Sequence, residues 1–138
     1  MFFNNKEKKN NGANFVKIGA LLIHVAKIDE NYSTKEEKII EKTLLSLGVD
    51  KNDIENTISR AKQSEEDANQ ILDFTKEIKN LQEIDKIKIV KSLWRIIYSN
   101  KDADIYETNL MRRLGGLLYI DSKIMGDIKE EIKNENSK

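Results

Sequence analysis

LIHVAKIDENYSTKEEKIIEKTLLSLGVD, Leu22 to Asp50, and LWRIIYSNKDADIYETNLMRRLGGLLYID, Leu93 to Asp121, carry one helix–acidic loop–helix pattern twice, 71 residues apart. Strict identities are few: Leu22/Leu93, Glu36/Glu107, Leu47/Leu118 and Asp50/Asp121. Apolar residues face apolar ones at several other matched positions. Val25 matches Ile96, Ala26 matches Ile97, Ile39 matches Leu110, Ile40 matches Met111 and Val49 matches Ile120. In both copies a helix N-cap, Ser33 or Asp104, is followed three residues on by Glu36 or Glu107. Neither copy can bury its apolar stripe alone. The repeat therefore predicts an all-α fold, a compact bundle of about seven helices with an internal pseudo-twofold repeat and two oxygen-rich loops placed to face each other.

Outward from the repeat, helical spacing persists almost everywhere and proline is absent. A first helix is predicted from about Ala13 to Ile28, with Phe15, Ile18, Leu22, Val25 and Ala26 on one stripe. The second carries Ile39, Ile40, Thr43, Leu44 and Leu47 and stops at Gly48. Asp50 suits the cap of a third helix bearing Ile54, Ile58 and Ala61. Ser64 suits the cap of a fourth, with Glu65, Glu66 and Asp67 against its N-terminal dipole and a stripe of Ala68, Ile71, Leu72, Thr75 and Ile78. The fifth, from about Glu83 to Ser99, is the most apolar and places Trp94 in the central seam. The sixth follows Asp104 and contains Gly115-Gly116, a pair that argues for close helix approach or a break. The seventh starts near Ser122 with Ile124, Ile128 and Ile132. Residues 1–12 read as a flexible N-terminal segment and residues 135–138 as a polar tail.

Composition narrows the function classes. The 138 residues hold 24 basic and 24 acidic side chains, so the formal net charge is zero. A general nucleic-acid binder needs a basic surplus to release counterions, so no nucleic-acid partner is expected. The absence of cysteine removes disulfides, thiolate nucleophiles and zinc fingers. One histidine, His24, cannot build a multi-histidine site and reads as an ordinary packed or half-exposed side chain. No apolar run is long enough to span a bilayer, and the N-terminus lacks a signal-peptide core. The reading is a cytoplasmic protein. Met1-Phe2-Phe3 with Lys6, Lys8 and Lys9 would suit a membrane surface, but the segment is short and a solvated tail accounts for it. Arg112-Arg113 would suit an acidic partner, with a solvated helix face as the simpler reading.

The loops Asp29–Glu36 and Asn100–Glu107 place carboxylate, amide and hydroxyl oxygens before a glutamate, a donor set for a hard cation. An EF-hand register fails: position 6 is Thr34 or Ile105 instead of glycine, and position 12 is Ile40 or Met111 instead of glutamate. Two readings stand from the residues alone. In one, Asp29, Glu36, Asp102, Asp104 and Glu107 converge on a divalent cation, calcium or magnesium, since neither loop supplies enough oxygens alone. In the other, Ser33/Glu36 and Asp104/Glu107 are capping pairs and no cofactor is required. Paired carboxylates also suit acid–base work, but no thiol, phosphate loop or partner histidine accompanies them, so no enzyme is expected. A protein partner is expected, and oligomeric state has no signature in the chain.

The second copy, LWRIIYSNKDADIYETNLMRRLGGLL, resembles the TerB-like (tellurite-resistance TerB) family, whose stretch runs L-W-x-V-A-Y-A-D-G-x-L-x-x-x-E-x-x-L-L-R-R-I-A-x-L-L. Leu93, Trp94, Tyr98, Glu107, Leu110, Arg112, Arg113 and Leu118 fall on its positions. The first copy, ALLIHVAKIDENYSTKEEKII, is similar to the family's A-L-L-x-x-V-A-x-A-D-G-x-x-x-x-x-E stretch, with Asp29 and Glu36 on its aspartate and glutamate. The resemblance covers about Phe15 to Ile132 and places a TerB-like helical domain over residues 13–134. It implies an all-α fold, inward-facing acidic residues that bind divalent metal, and a tellurite or general stress-response context without a defined reaction. The chain departs from the pattern at Ser99-Asn100-Lys101, where A-D-G is expected, and at Glu30, where a glycine is expected. It departs again at Tyr119, where a helix-ending glycine is common.

Overall fold

A computed structural model describes residues 15–28, 33–99 and 104–136. Seven helices and no strand are found among them. They are α1 (15–26), α2 (Thr34–Leu47), α3 (Ile54–Asp67), α4 (Leu72–Ile78), α5 (Glu83–Tyr98), α6 (Ile105–Leu117) and α7 (Ser122–Asn136). The expected N-terminal segment lies outside the described residues.

α1 and α5 lie deepest. On α1 the predicted stripe widens to nearly the whole circumference, because Ala20, Leu21 and Ile23 are buried along with Ile18, Leu22, Val25 and Ala26. A helix apolar on every side is a core helix. Gly19 carries its closest crossing: a Cβ there would stand 2.8 Å from Ala61 Cβ of α3. α5 buries Ile89, Val90, Leu93, Trp94, Ile96 and Ile97, and packs against α2 and α7. α2 also meets α3, α6 meets α7, and α4 meets α6.

Several helix boundaries differ from the sequence expectation. Asp53, not Asp50, stands at the N-cap of α3, and the Asp50 carboxylate instead accepts from Asn52 N–H at 2.9 Å, closing a turn one step earlier. Ser64 does not start a helix; α3 continues through it to Asp67. The cause is tertiary. Lys17 Nζ donates to Ser64 Oγ at 3.2 Å, and Glu65 is held by His24 on α1 and by Lys27 just past its end, so these residues gain more inside the helix than at a cap. α4 accordingly starts late, at Leu72, behind a turn in which Asp73 accepts from Asn69 and Gln70 N–H. Its buried face is Phe74, Thr75 and Ile78, whereas Leu72 is 44% exposed. The tail expected from residue 135 is helical as far as Asn136, because Arg95 grips Glu135 with two parallel bonds of 3.0 and 3.2 Å.

Glu65 ties α3 to α1. Lys27 Nζ lies 2.8 Å from one of its oxygens and His24 Nδ1 3.2 Å from the other, with the His24 ring against Phe74. Burial pushes the Glu65 carboxyl up, but the hydrogen bonds and charges of Lys27 and His24 outweigh it and hold it below the ordinary 4.5. A carboxyl lowered on folding contributes stability above its unfolded value and loses it as pH falls through the folded one. Melting temperatures of the native chain and Glu65→Gln are therefore expected to differ at neutral pH and to converge in acid below 4.5. A gap that stays constant across that range would show that charge is not what Glu65 contributes.

Lys86 has no counterpart in the predicted stripes. It lies on the buried side of α5, 8% exposed, and donates to the carbonyls of Lys79 at 3.2 Å and Leu118 at 2.9 Å. These are the C-caps of α4 and α6. Helix C-termini leave carbonyls without intrahelical partners at the negative end of the dipole, so one ammonium there satisfies two helices.

Candidate functional site

The site is built from two loop–helix junctions. At the first, Ser33 is in extended backbone and begins α2. Its N–H donates to Glu36 Oε2 at 2.8 Å, and its hydroxyl donates to the same oxygen. At the second, Asp104 is extended and begins α6; its N–H donates to Glu107 Oε1 at 3.2 Å, while its carboxylate accepts from Glu107 N–H at 2.8 Å. Both are capping boxes. The difference between them follows from the side chain: a hydroxyl can donate to the glutamate, and an aspartate can only accept.

The match extends well past the caps. Residues 33–40 and 104–111 follow the same order of exposed, half-buried and buried positions. Glu36 and Glu107 are only 1% and 2% exposed. Two buried glutamates in a chain this polar are the least expected feature of the junctions, since glutamate is rarely buried unless partnered, and the capping bonds supply part of that partnering. The far ends match as well. Gly48 N–H bonds Leu45 O and Val49 N–H bonds Leu44 O; Tyr119 N–H bonds Gly116 O and Ile120 N–H bonds Gly115 O. This is the paired closure of a helix whose next residue is left-handed. Gly48 has φ 118° and Tyr119 has φ 60°. Tyr119 thus adopts the conformation a glycine would adopt more cheaply.

The two junctions are tied through their flanks. Lys35, in the first turn of α2, donates from Nζ to the carbonyl of Ser99 at 2.6 Å, just after α5 ends. The start of one copy's second helix therefore lies against the end of the other copy's first helix. Nothing in the sequence signalled this bond, because a lysine in a polar loop reads as solvated. Of the five expected ligands, Glu36, Asp104 and Glu107 are in place at helix starts, and Asp29 and Asp102 lie outside the described residues. Among the described residues no group of three or more histidine, aspartate or glutamate side chains gathers at metal-binding range. Asp104 and Glu107 are brought together, as a cap. His24 is half-buried and belongs to the Glu65 cluster. Arg112 and Arg113 are both exposed.

An all-helical domain whose two acidic loops each open into a helix through a buried glutamate defines the class of this protein. Residues 16–130 match the family model for tellurite resistance protein TerB, and the chain belongs to that family. No match was found among curated proteins or among solved structures. Among the described residues, no helix is long and apolar enough to cross a membrane.

Proposed function

We propose that this chain is a non-catalytic module that binds a divalent cation between its two acidic loops, in a stress- or tellurite-resistance setting. The observation that supports it best is the pair of buried glutamates, Glu36 and Glu107, at matched positions on junctions tied by the Lys35–Ser99 bond. The donor set is all hard oxygen, which fits calcium or magnesium. Asp29 and Glu36 from one loop and Asp102, Asp104 and Glu107 from the other would hold the ion. What the ion supplies is rigidity, since bridging two loops stiffens the helix pairs that a protein partner would recognise. Lys35, with Lys101 and the neutral Asn100 in the second loop, opposes tight binding, so weak affinity is expected.

The alternative is an interaction module without metal, in which the same residues serve as caps. Both capping boxes favour it, since capping alone accounts for Ser33, Glu36, Asp104 and Glu107. Glutamine separates the two readings because it keeps the capping geometry while removing the charge. Calorimetric titration with calcium, magnesium and manganese is expected to give weak saturable heat in the native chain and none in Glu36→Gln/Glu107→Gln. A cation at ten times its dissociation constant should also raise stability by about 1.4 kcal/mol. Absence of heat and an unchanged melting temperature in millimolar calcium or magnesium would leave the capping reading in its place.

A further inference from the structure

A cleft of about 390 Å³ opens between α5, α6 and α7, and among the described residues no acidic-loop carboxylate lines it. Its apolar wall is Trp94, Met111, Met125 and Ile120, all buried. Glycines create the space. A Cβ on Gly116 or Gly126 would meet nothing within 4 Å, whereas at Gly115 one would crowd Met125 Cγ at 3.0 Å. The first two leave the cleft open, and the third lets α6 and α7 close behind it.

Besides the hydroxyls of Thr108 and Ser122, the charged groups on the wall are of one sign. Arg112 and Lys129 line the cleft, and among the described residues no carboxylate does. Neither cation has a carboxylate partner among the described residues: Arg112 reaches only Asn109 Oδ1, at 3.4 Å, and Lys129 Nζ stands 5.5 Å from the centre of the Trp94 ring. Trp94 is 3% exposed, yet its Nε1–H has no hydrogen-bond partner. Buried indole donors usually find one. A cleft of this size, apolar in body with two cations and an unsatisfied donor, has the composition of a small-molecule site. Its chemistry selects an anion with an apolar body.

We propose that this cleft binds a small amphiphilic carboxylate, its chain against Trp94, Met111 and Met125 and its carboxylate at Arg112 and Lys129. The chain's single tryptophan lies in the wall, so its emission reports occupancy directly. Titrating the full chain with decanoate in the presence of a chelator, which removes any dependence on the acidic loops, should give a saturable change in that emission. Decanol should bind at least tenfold more weakly, and acetate should give no response. Gly116→Leu projects into open space, so it should fold and melt like the native chain while abolishing the decanoate response. Arg112→Gln/Lys129→Gln should reduce decanoate to the affinity of decanol. No saturable response in the native chain, equal affinity for decanoate and decanol, or an undiminished response in Gly116→Leu would each overturn the proposal.

Discussion

Trp94→Ala is expected to lower the free energy of unfolding by about 3–5 kcal/mol, measured by denaturant titration followed by circular dichroism. The size of the loss follows from what surrounds the ring. Trp94 is 3% exposed in the seam of α5, stacks on Tyr98 with centroids 5.7 Å apart, and lies beneath the Lys129 ammonium. Truncation removes all of that contact, and the void left behind merges with a cleft that already exists, so neighbouring side chains have little to collapse onto. Domains of this kind have only about 5–15 kcal/mol in hand, and the variant would be close to unfolding. Trp94→Phe keeps most of the apolar volume and should lose markedly less. A loss within about 0.5 kcal/mol for the alanine variant, the range of surface substitutions, would remove Trp94 from the core.

Lys86→Met is the second large effect. Methionine retains the unbranched stem that threads the core, so packing is nearly conserved and the change isolates the ammonium. Its loss leaves the carbonyls of Lys79 and Leu118 without that partner, at about 1–3 kcal/mol for each acceptor that stays dry. The same denaturant titration measures it, and a methionine variant as stable as the native chain would show that water replaces the ammonium at both carbonyls. Arginine is not an equivalent substitute, because its planar fork needs more room than a compact ammonium.

Much of this fold is readable from local pattern. The 3.6-residue spacing marks seven helices, and the Ser33/Glu36 and Asp104/Glu107 pairs mark two helix starts because capping chemistry acts over three residues. Even the strain at Tyr119 is visible, since Gly48 occupies the equivalent position of the other copy. What escapes pattern is decided by long-range partners. Ser64 has the composition of a cap, but Lys17, distant in sequence, holds it inside α3. Lys86 stands outside the predicted stripes, because the carbonyls that hold it inside come from two other helices. For the candidate site, the glutamates are legible as caps, but their near-complete burial is not, since it depends on the helices stacked around them. The Lys35–Ser99 bond joins two copies, and neither copy alone contains that information. Gly115-Gly116 argues for close helix approach or a break, and only Gly115 makes a close approach; the cleft beside Trp94 has no signature in the local pattern.

The shortness of α4 has a consequence for how the molecule breathes. Seven residues fall below the length at which a helix persists in water by itself, so α4 lasts only while its neighbours hold it. Those holds are few: the face carrying Phe74 and Ile78, and the Lys86 bond at its C-cap. Its amide protons should therefore exchange with solvent through a local opening of lower free energy than global unfolding, ahead of those at the centre of α5. Such an opening is expected to part Phe74 from the His24 ring and to admit water beside α1 while the rest of the bundle stays folded.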